Sequence, residues 1–248
     1  MSKPVVTCKR NLKVKEVVDK MTKKKIGGIV IVEKKVPIGI FTRRDLMSVL
    51  VSGVDLKKTD VESVMHTPVM PVGENDDFIK VARQMSVHDV RRFIAIDGTN
   101  KISGMVTDLD VVKAYTLNTL SHAVSMAAVS IEGVKATPNT PLKKVAAMML
   151  DERRSCAVIL KNKKPVGIVN EALLAKLSSQ FINPLKYKAG DKMIKTFCEG
   201  SVHDSLRASV ITMIKRDFRN IILTDDDGKY AGVVSLRELV TFIVKAQL

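Results

Sequence analysis

The sequence of 248 residues contains no tryptophan, and aromatic residues make up only 4% of it. Its three cysteines, Cys8, Cys156 and Cys198, lie far apart and form no Cys-x-x-Cys pair, which argues against disulfides and against a thiolate zinc site. No apolar run approaches the roughly 18 residues of a membrane-spanning helix, and residues 1–6 do not open a signal peptide. We therefore expect a soluble, cytoplasmic protein that does not associate with membranes.

One octapeptide occurs four times with variations. The copies are GIFTRRDL from Gly39, GMVTDLDV from Gly104, GIVNEALL from Gly167 and GVVSLREL from Gly232, so their leading glycines lie 65, 63 and 65 residues apart. Such regular spacing indicates a repeated structural unit. In each copy the glycine and two apolar residues precede a residue of a helix-capping type: Thr42, Thr107, Asn170 and Ser235. The pattern predicts a strand, a sharp turn and the start of a helix.

Hydrophobic periodicity around each copy predicts a β-α-β-β-α unit. In the first unit we predict strands over residues 4–7, 27–32 and 36–41, a helix over residues 12–21, and a second helix that starts after Thr42 and continues to about Val51. The four units are assigned to residues 1–52, 61–120, 121–178 and 186–248, and a helical connector over residues 114–130 separates the two halves. A unit of about 62 residues is marginally stable alone, so the units should bury their apolar faces against each other.

Two interpretations compete for the residue three places after each capping position. Ser235 followed by Glu238 is a capping box, in which both side chains satisfy free backbone N–H groups. The first two copies instead have Asp45 and Asp110, whose shorter side chains we expect to reach back less well. A carboxylate there can accept hydrogen bonds from the hydroxyls of a ribose, beside a helix N-terminus that favours anions. The spacing alone leaves capping and ligand binding both open.

The net charge of +15, from 41 basic and 26 acidic residues, invites a nucleic-acid interpretation. The excess is spread evenly over both halves, and the few aromatic residues supply no stacking platform for single strands. Much of the charge is therefore assigned to solvated lysines on helix faces and in hairpin turns.

The fourfold unit resembles the CBS domain, named after cystathionine β-synthase, and the resemblance covers nearly the whole chain. It implies an α/β fold of the α+β type, with four β-α-β-β-α repeats paired through their sheets into two Bateman modules. Such modules often bind an adenosyl ligand (AMP, ADP, ATP or S-adenosylmethionine) in the cleft between two repeats. They also associate face to face into a disc, here either between the two halves of one chain or across a homodimer.

The resemblance also implies a set of site residues in the first half. Thr42 with Asp45 and Thr107 with Asp110 would hold the ribose and phosphate side. The base would be enclosed by residues near the first two strands of each repeat: Val6, Thr7, Ile26, Gly28, Met70, Val90 and Arg92. In the second half, Leu173 and Glu238 stand where the first half has Asp45 and Asp110. The resemblance therefore assigns nucleotide binding to the first half.

Phosphates need cations near the cleft, and arginine offers them two parallel N–H donors. Arg43, Arg44, Arg91 and Arg92 are the candidates, and surface pairing with nearby acids is the competing interpretation. The sequence contains no GxxxxGK, HExxH or GxSxG motif, and little chain remains outside the repeats, so we expect no enzyme activity and no separate cofactor. The sequence thus predicts a regulator that binds an adenine nucleotide and modulates a partner protein. The alternative is a ligand-free scaffold or nucleic-acid-associated protein.

Overall fold

The computed structural model describes residues 1–34, 36–99, 101–118, 124–180 and 182–246. The elements of the first repeat are β1 (Thr7–Lys9), α1 (Val14–Lys23), β2 (Gly28–Glu33), β3 (Val36–Thr42) and α2 (Arg43–Val51). Those of the second are β4 (Pro71–Gly73), α3 (Phe78–His88), β5 (Arg92–Ile96), β6 (Ile102–Thr107) and α4 (Asp108–Asn118).

The second half repeats the same order of elements. The third repeat consists of β7 (Val134–Ala136), α5 (Leu142–Asp151), β8 (Cys156–Lys161), β9 (Lys164–Asn170) and α6 (Glu171–Ser179). A short helix, α7 (Ala189–Lys192), precedes the fourth repeat. That repeat consists of β10 (Cys198–Ser201), α8 (Leu206–Lys215), β11 (Asn220–Thr224), β12 (Tyr230–Ser235) and α9 (Leu236–Lys245).

The predicted β-α-β-β-α order is confirmed in all four repeats. The first strand was placed too early, because regular pairing begins only where Thr7 lies opposite Val30, and Pro4 has no N–H to donate. The predicted connector is helical as far as Asn118 and contains a 3-10 turn at Met126–Ala128. Its middle, with the predicted boundary at residue 120, lies outside the described residues.

Each repeat has its own three-stranded sheet. The strands lie side by side in the order in which they occur in the chain, so the second strand of each repeat is the central one. The first two strands are parallel and are joined by the first helix, whereas the last two form an antiparallel hairpin. The same pairing occurs in the third and fourth repeats. The second helix therefore begins where the third strand ends, at the capping residue that the sequence marks.

The helices of each half pack against those of the other half. One core joins the first and third repeats, with side chains such as Leu46, Met47, Leu142 and Leu174 fully or almost fully buried. A second core joins the second and fourth repeats. The helical faces left open by each small repeat are thus covered by a repeat from the other half, and the two halves of one chain pack face to face.

The leading glycine of each octapeptide lies where a segment of the partner repeat crosses the third strand. The backbone of His66, just before the second repeat, forms a bridge with Ile40, and a Cβ atom at Gly39 would overlap the side chain of Met65. In the second repeat, the backbone of Ser2 forms a bridge with Met105, and a Cβ atom at Gly104 would overlap the side chain of Met1. The glycines therefore permit the close crossing that joins the repeats of one half.

All four repeats meet at the carboxylate of Asp89, at the end of α3. Arg153 Nη1 lies 2.7 Å and Arg237 Nη2 2.6 Å from it, and Arg44 Nη1 approaches to 3.9 Å. Arg44 and Arg237 also donate to the same backbone carbonyl, that of Arg153, at 2.8 Å each. Because these arginines come from the first, third and fourth repeats, one carboxylate of the second repeat connects both halves.

We predict that Asp89→Asn lowers the free energy of unfolding by about 1–2 kcal/mol, because it removes the charge that partly buried Arg44 and Arg237 share with exposed Arg153. Asparagine tolerates the left-handed backbone of this position, where φ is 52°. Asp217→Asn is the matched control: Asp217 lies 128 residues beyond Asp89 at the equivalent position of the fourth repeat, also has positive φ, and forms its one ion pair among the described residues with exposed Arg219. Urea melts should show less than about 0.5 kcal/mol for the control, and equal losses in both variants would contradict the role of Asp89.

Candidate functional site

The predicted threonine and aspartate pairs do form capping boxes. Asp45 Oδ2 accepts hydrogen bonds from the Thr42 backbone N–H and hydroxyl, both at 2.7 Å. Asp110 Oδ2 accepts the same two bonds from Thr107, at 2.9 and 2.7 Å. The expectation that aspartate is too short to reach back is wrong, because the carboxylate at the third helical position already lies beside the capping residue. Each carboxylate nevertheless uses only one oxygen for capping.

The second oxygen distinguishes the two sites. Asp110 Oδ1 lies 3.0 Å from the amino group of Met1, whereas Asp45 Oδ1 has no hydrogen-bond partner among the described residues. Burial raises the pKa of Asp45, and its hydrogen bonds from Thr42 offset this only in part. Burial also acts on Asp110, but the Thr107 hydroxyl and the amino group outweigh it and lower the pKa of that carboxyl. Asp45 is therefore the carboxylate with an acceptor to spare.

Arg92, the first residue of β5, packs against Gly27 and Gly28, at the start of β2 in the first repeat. A Cβ atom at Gly27 would be 2.8 Å from Arg92 Nη2, and one at Gly28 would overlap Nη1. Burial and the neighbouring Arg91 lower the pKa of Arg92 to about 10, and its charge in turn favours ionised Asp45. The side chain of Arg92 makes no hydrogen bond or ion pair within the described part of the chain.

The other three predicted arginines surround the same region but differ in their partners. Arg91 Nη2 donates to both oxygens of Glu171, at 2.6 and 2.8 Å, and Arg44 Nε lies 3.7 Å from that carboxylate. The Arg43 side chain has no such bond in the residues that the structure describes, and burial lowers its pKa. Arg91 and Arg44 thus have an internal carboxylate within ion-pair distance, and the described residues provide none for Arg43 and Arg92.

The predicted base-enclosing residues are divided between two cores. Val6 and Ile26 pack against the core of the first and third repeats, and Met70 and Val90 against that of the second and fourth. Thr7 is half-buried in β1, and Gly28 is buried at the start of β2. Of this set, the structure brings Gly28 and Arg92 directly together. A cavity of about 110 Å³ nearby is lined by Val90, Arg91 and Asp108, among other residues of α3, α4 and α9.

The equivalent region of the second half is filled by its own side chains. Glu238 caps α9 through Ser235, as the sequence predicts, and it also accepts a hydrogen bond from Arg154 Nη1 at 2.7 Å. Its side chain is 8% exposed. Between the two sheets, Cys156, Val158 and Ile222 form a closed apolar cluster, and burial raises the pKa of the Cys156 thiol to about 12. Glu238 therefore has an internal cation where Asp45 has an open oxygen.

Sequence reasoning missed several residues of this region. Glu171, 6% exposed, reaches from the third repeat into the arginines of the first half. His66 acts electrostatically on Asp45, although the sequence offers it no spaced partner. Asp89 and Arg153 were also missed. The structure shows that these last two occupy equivalent positions, because Lys25, Asp89, Arg153 and Asp217 are spaced by 64 residues and all have positive φ, but their residue types share no pattern that the sequence could show.

The four segments that carry this arrangement match one family model. The model of the CBS domain matches residues 1–52, 61–117, 130–178 and 201–245, which is most of the chain. This chain belongs to the CBS domain family. Its four CBS repeats pair as two Bateman modules, the first formed by repeats one and two and the second by repeats three and four. Proteins built from CBS domains are generally regulatory rather than catalytic.

Two solved structures resemble this CBS chain over nearly its whole length, and one curated relative resembles less than half of it. One is a Methanocaldococcus jannaschii protein that is described as a candidate archaeal homologue of γ-AMPK. It has a TM-score of 0.87 at 17% identity, and the match covers 98% of this chain and 97% of that protein's chain. An uncharacterized Pyrococcus horikoshii protein matches the same shares with a TM-score of 0.67 at 19% identity. An uncharacterized Methanopyrus kandleri protein is 34% identical over 43% of this chain, which spans 57% of that relative.

Two further kinds of feature are absent from the described residues. Within them, no helix combines the length and the apolar character needed to cross a membrane. The same part of the chain contains no group of three or more histidine, cysteine, aspartate or glutamate side chains placed to hold a metal ion.

We predict that Glu238→Ala lowers the free energy of unfolding by about 2 kcal/mol, more than the roughly 1 kcal/mol of a lost cap alone. The additional loss arises because Arg154 would keep a charge in a half-buried place without its partner. Arg154→Met in the same chain should recover part of that loss. A double-mutant cycle measured by thermal melting checks this, and additive effects of the two changes would contradict the pairing.

Proposed function

We propose that this CBS protein is a regulatory sensor that binds an adenine nucleotide in the cleft of its first Bateman module. The observation that carries the proposal is the carboxylate oxygen of Asp45 that has no hydrogen-bond partner among the described residues, together with Arg92, whose charge acts on Asp45 and whose side chain forms no hydrogen bond or ion pair there. A ribose supplies hydroxyl donors for the carboxylate, and a phosphate supplies the anion that unpaired guanidinium groups require. These two needs occur together in a nucleotide.

The arrangement assigns a role to each residue. Asp45, held by Thr42, accepts a ribose hydroxyl, while Arg92 and Arg43 donate to phosphate oxygens. The base lies against the first two strands of the module, near Ile26, Gly28 and Val90, and Arg92 leaves the surface of Gly27 and Gly28 to admit it. Thr107 and Asp110 form a second, weaker site, since the amino group of Met1 already occupies one carboxylate oxygen.

Regulation requires that ligand binding alter another interaction. Arg44 connects the region of the first site to Asp89 and Arg153, where all four repeats meet. A ligand that moves Arg43 and Arg44 would therefore change how the two modules pack, and through that surface the affinity for a partner protein. AMP, ADP, ATP and S-adenosylmethionine are the ligands to test, and a cytoplasmic location and homodimer formation remain predictions.

We predict that Asp45→Ala weakens nucleotide binding by roughly ten- to a hundredfold, as expected when an acceptor worth about 1–3 kcal/mol is lost. Asp110→Ala should weaken binding less. Calorimetric titration with the four adenosyl ligands measures both effects, and a melting curve confirms that each variant is folded. Glu238→Gln is the control in the second module and should bind as the unmodified protein does.

Two results of this titration would contradict the proposal. If no adenosyl ligand binds the unmodified protein below about millimolar, where the binding free energy is only about −4 kcal/mol, the sensing function fails. If Glu238→Gln abolishes binding while Asp45→Ala does not, the site lies in the second module.

Nucleic-acid association is the alternative that the charge of +15 supports. It requires that affinity for DNA or RNA fall steeply as salt is raised, because phosphate contacts release counterions. A mobility assay with no shift at low salt would remove it.

A further inference from the structure

One carboxylate of the second module acts on all four arginines of the first. Glu171 is the first residue of α6, and its charge acts on Arg43, Arg44, Arg91 and Arg92. It is 6% exposed, and both of its oxygens accept from Arg91 Nη2. Glu171 therefore supplies a buried negative charge among these arginines.

The distribution of the remaining charges sets how much anion the site can still accept. Arg91 Nη2 donates to both oxygens of Glu171, and Arg44 is shared between that carboxylate, Asp89 and the Arg153 carbonyl. Arg43 and Arg92 are the two whose guanidinium groups form no hydrogen bond or ion pair in the described structure, although the charges of Asp108 and Glu171 act on Arg92 and those of Glu171 and Asp217 act on Arg43. These two arginines are therefore the ones that can donate to one phosphate group without breaking a hydrogen bond.

The additional phosphate groups of a di- or triphosphate would have to bind Arg91 and Arg44, which already interact with Glu171. They would place additional negative charge beside a buried carboxylate, and repulsion between like charges in a buried site costs several times more than at the surface. Selectivity can arise from such a repulsive group as well as from attractive contacts.

We propose that Glu171 restricts the first Bateman module to nucleoside monophosphates, acting as an internal anion that competes with the additional phosphates of di- and triphosphates. The proposal rests on the proposed nucleotide site and names its ligand class. Glu171 also comes from the opposite module, so a triphosphate could bind fully only by breaking the contact of Glu171 with Arg91, between the third and second repeats.

The test compares AMP, ADP and ATP by calorimetry at one fixed ionic strength without divalent cations, because screening weakens every charge effect in the comparison. The unmodified protein should bind AMP at least tenfold more tightly than ATP. Glu171→Gln keeps the size of the side chain and an acceptor for Arg91 but removes the charge, so the preference should fall below about threefold, chiefly through tighter ATP binding. A tenfold change corresponds to 1.4 kcal/mol.

Glu171→Asp keeps the charge and should keep the preference, which separates charge from shape. Glu238→Gln removes the charge of the other buried, arginine-paired glutamate and should leave the preference unchanged. The comparison of AMP with ATP on the unmodified protein needs no variant, so it holds even if Glu171→Gln does not fold.

The outcomes separate this inference from the function on which it rests. If the unmodified protein binds ATP as tightly as AMP, or if Glu171→Gln binds nucleotides with the original preference, the role of Glu171 is wrong and the nucleotide site stands. If none of the three nucleotides binds any of these proteins, the nucleotide site itself is wrong.

Discussion

The burial of one helical face per repeat is the constraint on which the rest of the structure depends. A unit of about 62 residues has too little interior to cover both its sheet and its helices. The chain solves this by pairing repeats in two ways: sheets meet within each half, and helices meet between halves, as in the shared core that contains Leu46 and Leu174. The helix pairing brings the first turns of α2, α4, α6 and α9 together, where helix dipoles favour anions. Charged residues at these turns therefore act on each other across the whole chain.

The sequence predicted those features of the fold that depend on local chemistry. Glycine, two apolar residues and a capping type define the end of a strand and the start of a helix, and the structure begins α2 immediately after Thr42 and α9 immediately after Ser235. The strand near Pro4 was misplaced because three residues give little periodicity. The reason for the leading glycines was also hidden, since the side chain that crosses Gly39 is Met65, 26 residues further along the chain.

The candidate site was less predictable because its electrostatics come from distant segments. Spacing identified Thr42 and Asp45, whose contact spans three residues, and composition identified the arginines. It gave no reason to separate Arg91 from Arg92, which are adjacent in sequence. Only the tertiary structure shows that Glu171, 80 residues from Arg91, neutralises one of them and leaves the other against Gly28. Long-range ion pairs of this kind carry no local pattern that periodicity or capping rules could detect.

Differences at equivalent positions explain why the two modules differ. Ile26, Val90, Arg154 and Phe218 are spaced by 64 residues and each follows the residue that ends the first helix with positive φ. In the first module both positions are apolar, so the carboxylate of Asp45 keeps an oxygen for another partner. In the second module Arg154 supplies a cation to Glu238, and a carboxylate that is already paired and 8% exposed gains little from a ligand. The exchange of an apolar residue for arginine thus gives Glu238 an internal partner that Asp45 lacks among the described residues.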